Sequence, residues 1–207
     1  MATVLYRRTT KQLIFVASLL PMVWLVYALY SDTVAGTKFM TADPIQKLDR
    51  ELGDWALIFI ILSLCVRPLA ELIGKGEIVA FRRMIGLFAF FYALLHLFCY
   101  ISLNLQFDFV AFIKDITNRN FITIGILAFT LLIPLAITST RRMAKRIGGK
   151  RWQKLHMLIY PISLLGCLHF FMMIRADFSR PTIYLFVIIL LLIYRYWRNW
   201  KTNAPKF

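Results

Sequence analysis

Acidic side chains are scarce in this sequence: 10 Asp and Glu stand against 25 Lys and Arg in 207 residues, a net charge of +15. Histidine is rarer, with 3, and the 3 cysteines, Cys65, Cys99 and Cys167, each stand alone inside an apolar stretch. No CxxC or CxxCH occurs, which argues against a thiol redox pair, a zinc ribbon and covalent haem attachment. The thiols read as buried small hydrophobes. Dinucleotide and phosphate loops are absent too, because Gly74-Lys75-Gly76 and Gly148-Gly149-Lys150 match neither GxGxxG nor a P-loop and follow helices as turn signals. The longest stretch between apolar blocks, residues 31–54, is too small for a nucleotide-binding domain. Internal repeats and low-complexity tracts are also missing.

What the chain has in abundance is apolar residues, 60% of the total, against roughly 45–50% in soluble domains. A strongly basic balance usually suggests nucleic acid. Long uncharged blocks bounded by Lys/Arg clusters point instead to spanning helices of about 20 residues, and set aside a soluble enzyme and a nucleic-acid binder. Six blocks, about 13–30, 55–73, 84–103, 121–138, 155–174 and 182–197, predict an all-α integral membrane protein, a single domain built as a bundle of six transmembrane helices. The first block is too long for a signal-peptide core and lacks a small-x-small cleavage site, so it is expected to be retained. Arg67-Pro68 interrupts the second block. An arginine there snorkels only near a membrane face, and Pro68 predicts a kink or an early stop. The alternative is five spans with this segment re-entrant.

The basic residues set the orientation. Eighteen of them, including Arg7, Arg8, Lys11, Arg82, Arg83, the run from Arg141 to Lys154, Arg195, Lys201 and Lys206, fall on one side, where Glu71 and Glu77 are the only acids. That side carries a net +16 and the other −1, so both termini are expected to be cytoplasmic.

All three histidines lie inside predicted spans, where an ionisable group is costly and marks a site by default. His96 stands 12 residues into helix three and His169 14 residues into helix five, about 18 and 21 Å from the cytoplasmic end. Two imidazoles at one depth on different helices can clamp one metal centre. No Asp, Glu or Cys is expected beside them to complete a zinc site, whereas a b-type haem (heme b) brings four nitrogens and needs only two imidazoles. Ala89, Ala93, Ser163 and Gly166 either leave room for a flat macrocycle or serve helix packing. His156 sits about 20 Å below His169, and an unwinding at Pro161 would bring both onto one face. Tyr92, Tyr100 and Tyr160 are candidate partners for a propionate or a ring nitrogen. Trp55, Trp152 and Trp197 are expected to be interfacial anchors.

The run from Gly149 to His156 followed by Tyr160, Arg82-Arg83-x-x-Gly86-Leu87 with His96 and Tyr100 beyond it, Thr138-Ser139-Thr140, and Ala42-Asp43-Pro44 together resemble the MsrQ (YedZ) family. These are haem-binding membrane subunits of the periplasmic protein-methionine-sulfoxide reductase system, in the ferric-reductase-like transmembrane superfamily. The resemblance implies a multi-pass protein of the bacterial inner membrane that binds b haem, with FMN as a further cofactor. It implies quinol as electron donor and MsrP, a periplasmic molybdopterin reductase, as the partner that repairs oxidised methionine. It assigns haem or second-site roles to His96, His169 and His156. In the related NADPH oxidases two histidines on helix three face two on helix five, but Arg82-Arg83 holds the inner position here, which puts a second bis-histidine haem in doubt. Arg67 stands where a threonine is expected in relatives.

The reading that follows is a transmembrane electron conduit without substrate-level catalysis of its own. A proton or ion transporter using the histidines as a relay is the alternative. It needs a polar path that helices one and six, and the middles of three and five, do not supply. A passive scaffold is the third class.

Overall fold

Asp43-Pro44 starts a helix that hydropathy alone misses: the Asp43 carboxylate accepts from the Gln46 amide at 2.9 Å, and Pro44 occupies the first turn, where no backbone N–H is needed. In the computed structural model, which describes residues 2–203 and the side chains of residues 8–200, the α-helices in chain order are α1 (Ala2–Val34), α2 (Pro44–Ile73), α3 (Arg82–Cys99), α4 (Phe109–Asn118), α5 (Asn120–Ile137), α6 (Arg141–Ile147), α7 (Gly149–His156), α8 (Ile159–Met173) and α9 (Ser179–Asn203). A 3-10 segment, Gly76–Phe81, leads into α3, and a π-helical turn, Tyr100–Asn104, closes it. No strand occurs among the described residues. Six helical stretches are long and apolar enough to cross a membrane: Arg8–Val34, Pro44–Ile73, Gly76–Asn104, Asn120–Ile137, Gly149–Met173 and Ser179–Trp200.

These six match the six apolar blocks, with three local corrections. Residues 44–54, expected in a loop, are the first turns of α2, so Asp49, Gly53 and Asp54 are helical. Helix α2 continues past Pro68 and ends where Gly74 takes a left-handed φ of 71°, so Pro68 does not stop it. The helix expected at 155–174 unwinds at Met157 and Leu158, a turn before Pro161. Proline lacks the N–H that would reach the carbonyl four residues back, and its ring crowds that carbonyl. The freed segment tightens instead, with Met157 N–H donating to Lys154, Leu158 to Leu155 and Tyr160 to Met157. Outside the six spans, residues 104–120, expected as a connecting loop, form the short helix α4, capped by Asp108.

Helix α2 is the centre of the bundle. It lies along α3 and touches α8, α9 and α1, while α5 lies along α8. Of its most apolar window 44% is buried, against 11% for α9. Leu25, Phe59, Ile60, Phe88 and Tyr92 form the core. Leu20 and Val23 of α1 and Phe186 and Ile193 of α9 face outward, as helices surrounded by hydrocarbon require. The charged ends hold by short contacts: Arg67 and Arg198 pair with Glu71 at 3.2 and 3.1 Å, with Tyr194 donating to the same carboxylate, and Arg180 pairs with Asp54 at 3.0 Å. Lys206 lies outside the described residues, as do the side chains of Arg7 and Lys201. The cysteines are free, with Cys99 and Cys167 buried and Cys65 half-buried.

Tyr92 does structural work in place of the ligand-binding role considered for it. Its hydroxyl accepts from the Met22 amide at 3.2 Å and donates to the Ser18 carbonyl at 2.8 Å. Met22 and Ser18 are the two partners of one helical rung beside Pro21, so the phenol splices α3 into the ladder of α1 where the proline loosens it. The ring also stacks on Phe59 at 5.1 Å. Tyr92→Phe keeps the stack and deletes the splice. It is expected to cost about 1–2 kcal/mol, read as a lower apparent unfolding temperature in detergent; an unchanged temperature would mean that the rung closes without Tyr92.

Candidate functional site

His96 on α3 and His169 on α8 face each other inside the bundle, ring centroids 6.1 Å apart and planes at 73°. Each is held by the same device. His96 Nδ1 lies 2.9 Å from the backbone carbonyl of Asp49 in α2, and His169 Nδ1 lies 2.6 Å from that of Phe121 in α5. Four residues after each of those carbonyls stands a glycine, Gly53 and Gly125. In a helix the Cβ leans toward the N-terminus, over the carbonyl one turn back, which is where each imidazole sits. A Cβ on Gly53 would meet the His96 ring at 3.2 Å, and one on Gly125 would meet His169 Nδ1 at 2.8 Å. The glycines clear the seats and the carbonyls fix the rings. Because Nδ1 donates in both, Nε2 is left as a lone pair for a ligand.

The sequence reading placed no acid beside this pair, and the structure corrects it. Asp49 Oδ1 lies 3.0 Å from the same His96 Nδ1. Imidazole has one proton there, and its better-aligned acceptor is the Asp49 carbonyl, which leaves Oδ1 buried without a hydrogen bond of its own. Hydropathy alone hides Asp49, because residues 44–54 are too polar to read as part of a span. The Asp43-Pro44 start signal and Gly125 inside an apolar helical run are the available clues.

Between the rings opens a cavity of about 180 Å³. Its wall is mostly apolar, with Ala93, Leu132, Ile162 and Gly166, and Asp49, Arg50, Asp54 and Tyr100 also line it. Of the small residues singled out in the sequence, Ala93 and Gly166 line the cavity, while Ala89 and Ser163 are fully buried in helix packing. Asp54 Oδ1 is a second buried oxygen without a partner. Tyr100 donates to Asp115 of α4, which pairs with Arg119 at 3.0 Å.

His156 is not brought to this pair. Its Nε2 lies 3.1 Å from Thr138 Oγ1, and its ring stacks on Trp152 at 4.0 Å. Trp152 Nε1 donates to the Thr138 carbonyl at 2.9 Å, and Arg83 lies over the indole at 5.7 Å. Trp152 is therefore a partner of His156 and not a lone interfacial anchor. Tyr160 carries Arg195 over its ring at 4.8 Å.

Residues 52–167 match the family model described as ferric reductase like transmembrane component. A Rhodospirillum rubrum protein named protein-methionine-sulfoxide reductase heme-binding subunit MsrQ is 47% identical over 182 residues, covering 88% of this chain and 85% of that protein. The chain belongs to the MsrQ family. A relative of the same name from Caulobacter vibrioides is 40% identical over 192 residues, 93% of this chain and 89% of its own length. The magnetosome protein MamZ of Paramagnetospirillum magneticum is 43% identical over 191 residues, which cover 91% of this chain but 30% of MamZ. Family membership and the six apolar helices make this MsrQ-family chain a multi-pass membrane protein with an electron-transfer role.

The two glycine seats differ in tightness, and their alanine variants are expected to differ accordingly. Alanine gains about 1 kcal/mol in helix propensity, while overpacking costs about 1–3 kcal/mol. Gly125→Ala is therefore expected to destabilise and Gly53→Ala to lie near neutral, measured by thermal unfolding in detergent. Equal shifts for the two would refute the seats as described.

Proposed function

We propose that this protein is the b-haem electron-transfer subunit of a methionine sulfoxide reductase system, in which His96 and His169 would hold the haem iron. The observation that carries this reading is the facing pair with both Nδ1 atoms committed to backbone carbonyls and both Nε2 atoms left for one centre. Two imidazoles bound through Nε2 at about 2 Å from a shared metal hold their centroids about 6 Å apart, which agrees with the 6.1 Å observed. The orphaned carboxylate oxygens of Asp49 and Asp54 fit a cationic centre and its polar edge, and the mostly apolar wall suits a flat apolar macrocycle. When bound, haem supplies a reversible one-electron iron couple.

The chain's own residues do the rest. The Asp49 and Phe121 carbonyls hold each imidazole in one tautomer, and the Asp49 carboxylate raises the electron-donating power of His96. A histidine relay for ions is disfavoured by the same geometry, since the locked Nδ1 protons and the apolar wall offer no polar path. On this reading the basic end of the bundle is cytoplasmic, both termini lie on that side, and the protein resides in the bacterial inner membrane. A quinol donor meets the cytoplasmic half of the bundle, and FMN enters only as a cofactor that the family resemblance implies. The acceptor, an MsrP-like periplasmic molybdopterin reductase, docks at the end that carries Asp54, α4 and Arg180.

Reduced-minus-oxidised absorption spectra of the purified protein test the assignment. A b-type band is expected in the parent and in His156→Ala, and its loss in His96→Ala and in His169→Ala. Survival of the band in both of the latter would sink the proposal. Asp49→Asn, which removes a charge beside Nδ1 without changing shape, is expected to raise the midpoint potential by roughly 40 mV for each kcal/mol of charge stabilisation lost in the oxidised state. A potential that does not move would leave the backbone carbonyl as the sole influence on His96.

A further inference from the structure

A second cavity, of about 1200 Å³, opens around His156 at the basic end of the bundle. Cations converge on it from five helices: Lys11 of α1, Arg82 and Arg83 of α3, Arg141 of α6, Lys150 of α7 and Arg195 of α9. Among the described residues, none of these six forms an ion pair and no carboxylate lines the cavity. Glu71 stands near its margin and is engaged by Arg67, Arg198 and Tyr194.

A bias of Lys and Arg toward one membrane face explains how many cations lie at this end. It does not explain why they line one concave space, where their mutual repulsion is strengthened by nearby apolar walls. Two of the guanidiniums are also seated without an acid. Arg83 lies over Trp152, itself stacked on His156, and Arg195 lies over Tyr160. Aromatic seats hold the guanidinium plane while leaving its N–H edge for a planar or tetrahedral anion. A neutral quinol has no use for such a ring of charge.

The other wall is apolar. Phe15, Leu87 and Phe90 line the same cavity, and Phe15 and Leu87 are also exposed on the outer surface of the bundle, continuous with its hydrocarbon-facing belt. The occupant that suits both walls has an anionic phosphate head and an apolar tail.

We propose that this cavity binds the headgroup of an anionic phospholipid, with Arg82, Arg83 and Lys150 on the phosphate and the acyl chains running out past Phe15 and Leu87. Bound there, the headgroup neutralises the cluster and clamps α3 and α7 together, fixing Trp152 and with it His156. The histidine pair is in the other cavity, so the lipid site stands or falls separately from the haem assignment.

The test uses the full-length protein purified in detergent. Phosphatidylglycerol is expected to raise its apparent unfolding temperature by about 6 °C over the same amount of phosphatidylcholine, and to be the phospholipid retained in native mass spectrometry. The variant Arg82→Gln/Arg83→Gln/Lys150→Gln is expected to lose both effects, and Lys114→Gln on α4 to keep them. Equal stabilisation by the two lipids, or no retained phosphatidylglycerol on the parent protein, overturns the proposal. Full stabilisation by inorganic phosphate or soluble glycerol phosphate also overturns it, in favour of a water-soluble phosphate ligand. The mass-spectrometric arm needs only the parent protein, so a triple variant that fails to fold does not remove the test. The b-type band, read in the same samples, reports the histidine pair independently of lipid.

Discussion

A helical carbonyl has two lone pairs, and the amide four residues on uses one of them. The second is normally shielded by that residue's Cβ, which leans back over it. With glycine at that position the lone pair is open, and at Asp49/Gly53 and Phe121/Gly125 a histidine from a facing helix takes it. This one contact sets the ring position, the tautomer and the close approach of α3 to α2 and of α8 to α5. Since α2 also carries the core contacts to α1 and α9, the arrangement of the bundle and the arrangement of the site are the same constraint. In apolar surroundings a buried ring nitrogen without a partner is costly, so the two bonds also exclude alternative ring poses.

The pair is alike in backbone contact and unlike in charge. His96 has the Asp49 carboxylate at 3.0 Å from Nδ1, while His169 Nδ1 meets the neutral backbone carbonyl of Phe121. The polar residues of the cavity, Asp49, Arg50, Asp54 and Tyr100, gather toward the end of the bundle that bears α4, and the basic cavity occupies the other end. The molecule is thus polar along its long axis in two senses, with a carboxylate-edged histidine cavity at one end and a cationic cavity at the other. An apolar bundle core, held by contacts such as the Tyr92 splice into α1, separates them.

Much of this was legible in the sequence, for definite reasons. Hydrocarbon demands uninterrupted apolar length, so the six spans announce themselves, and 3.6-residue periodicity with a fixed rise was enough to put His96 and His169 at one depth. The misreadings share a cause as well. Residues 44–54 carry Gln46, Lys47, Asp49, Arg50, Glu51 and Asp54, too polar for a hydropathy window, yet they are helical because Asp43 and Pro44 cap the helix and because Lys47 pairs with Glu51 and Asp54 with Arg180. The same polarity hid Asp49. The sequence points to an unwinding at Pro161, and the break lies one turn earlier, at Met157 and Leu158, since proline acts on the carbonyl four residues behind it and not at its own position.

The sequence by itself determined the six spans, the segregation of charge between the ends and the depth of three histidines, because these follow from length, composition and helical rise. Only the tertiary structure decided which carbonyl each imidazole meets, that a carboxylate stands behind one of them, and that His156 belongs to a separate basic cavity with Trp152 and Thr138. Those outcomes depend on the azimuth and register of one helix against another. Side-chain packing between distant segments fixes these, and no spacing along a single helix encodes them.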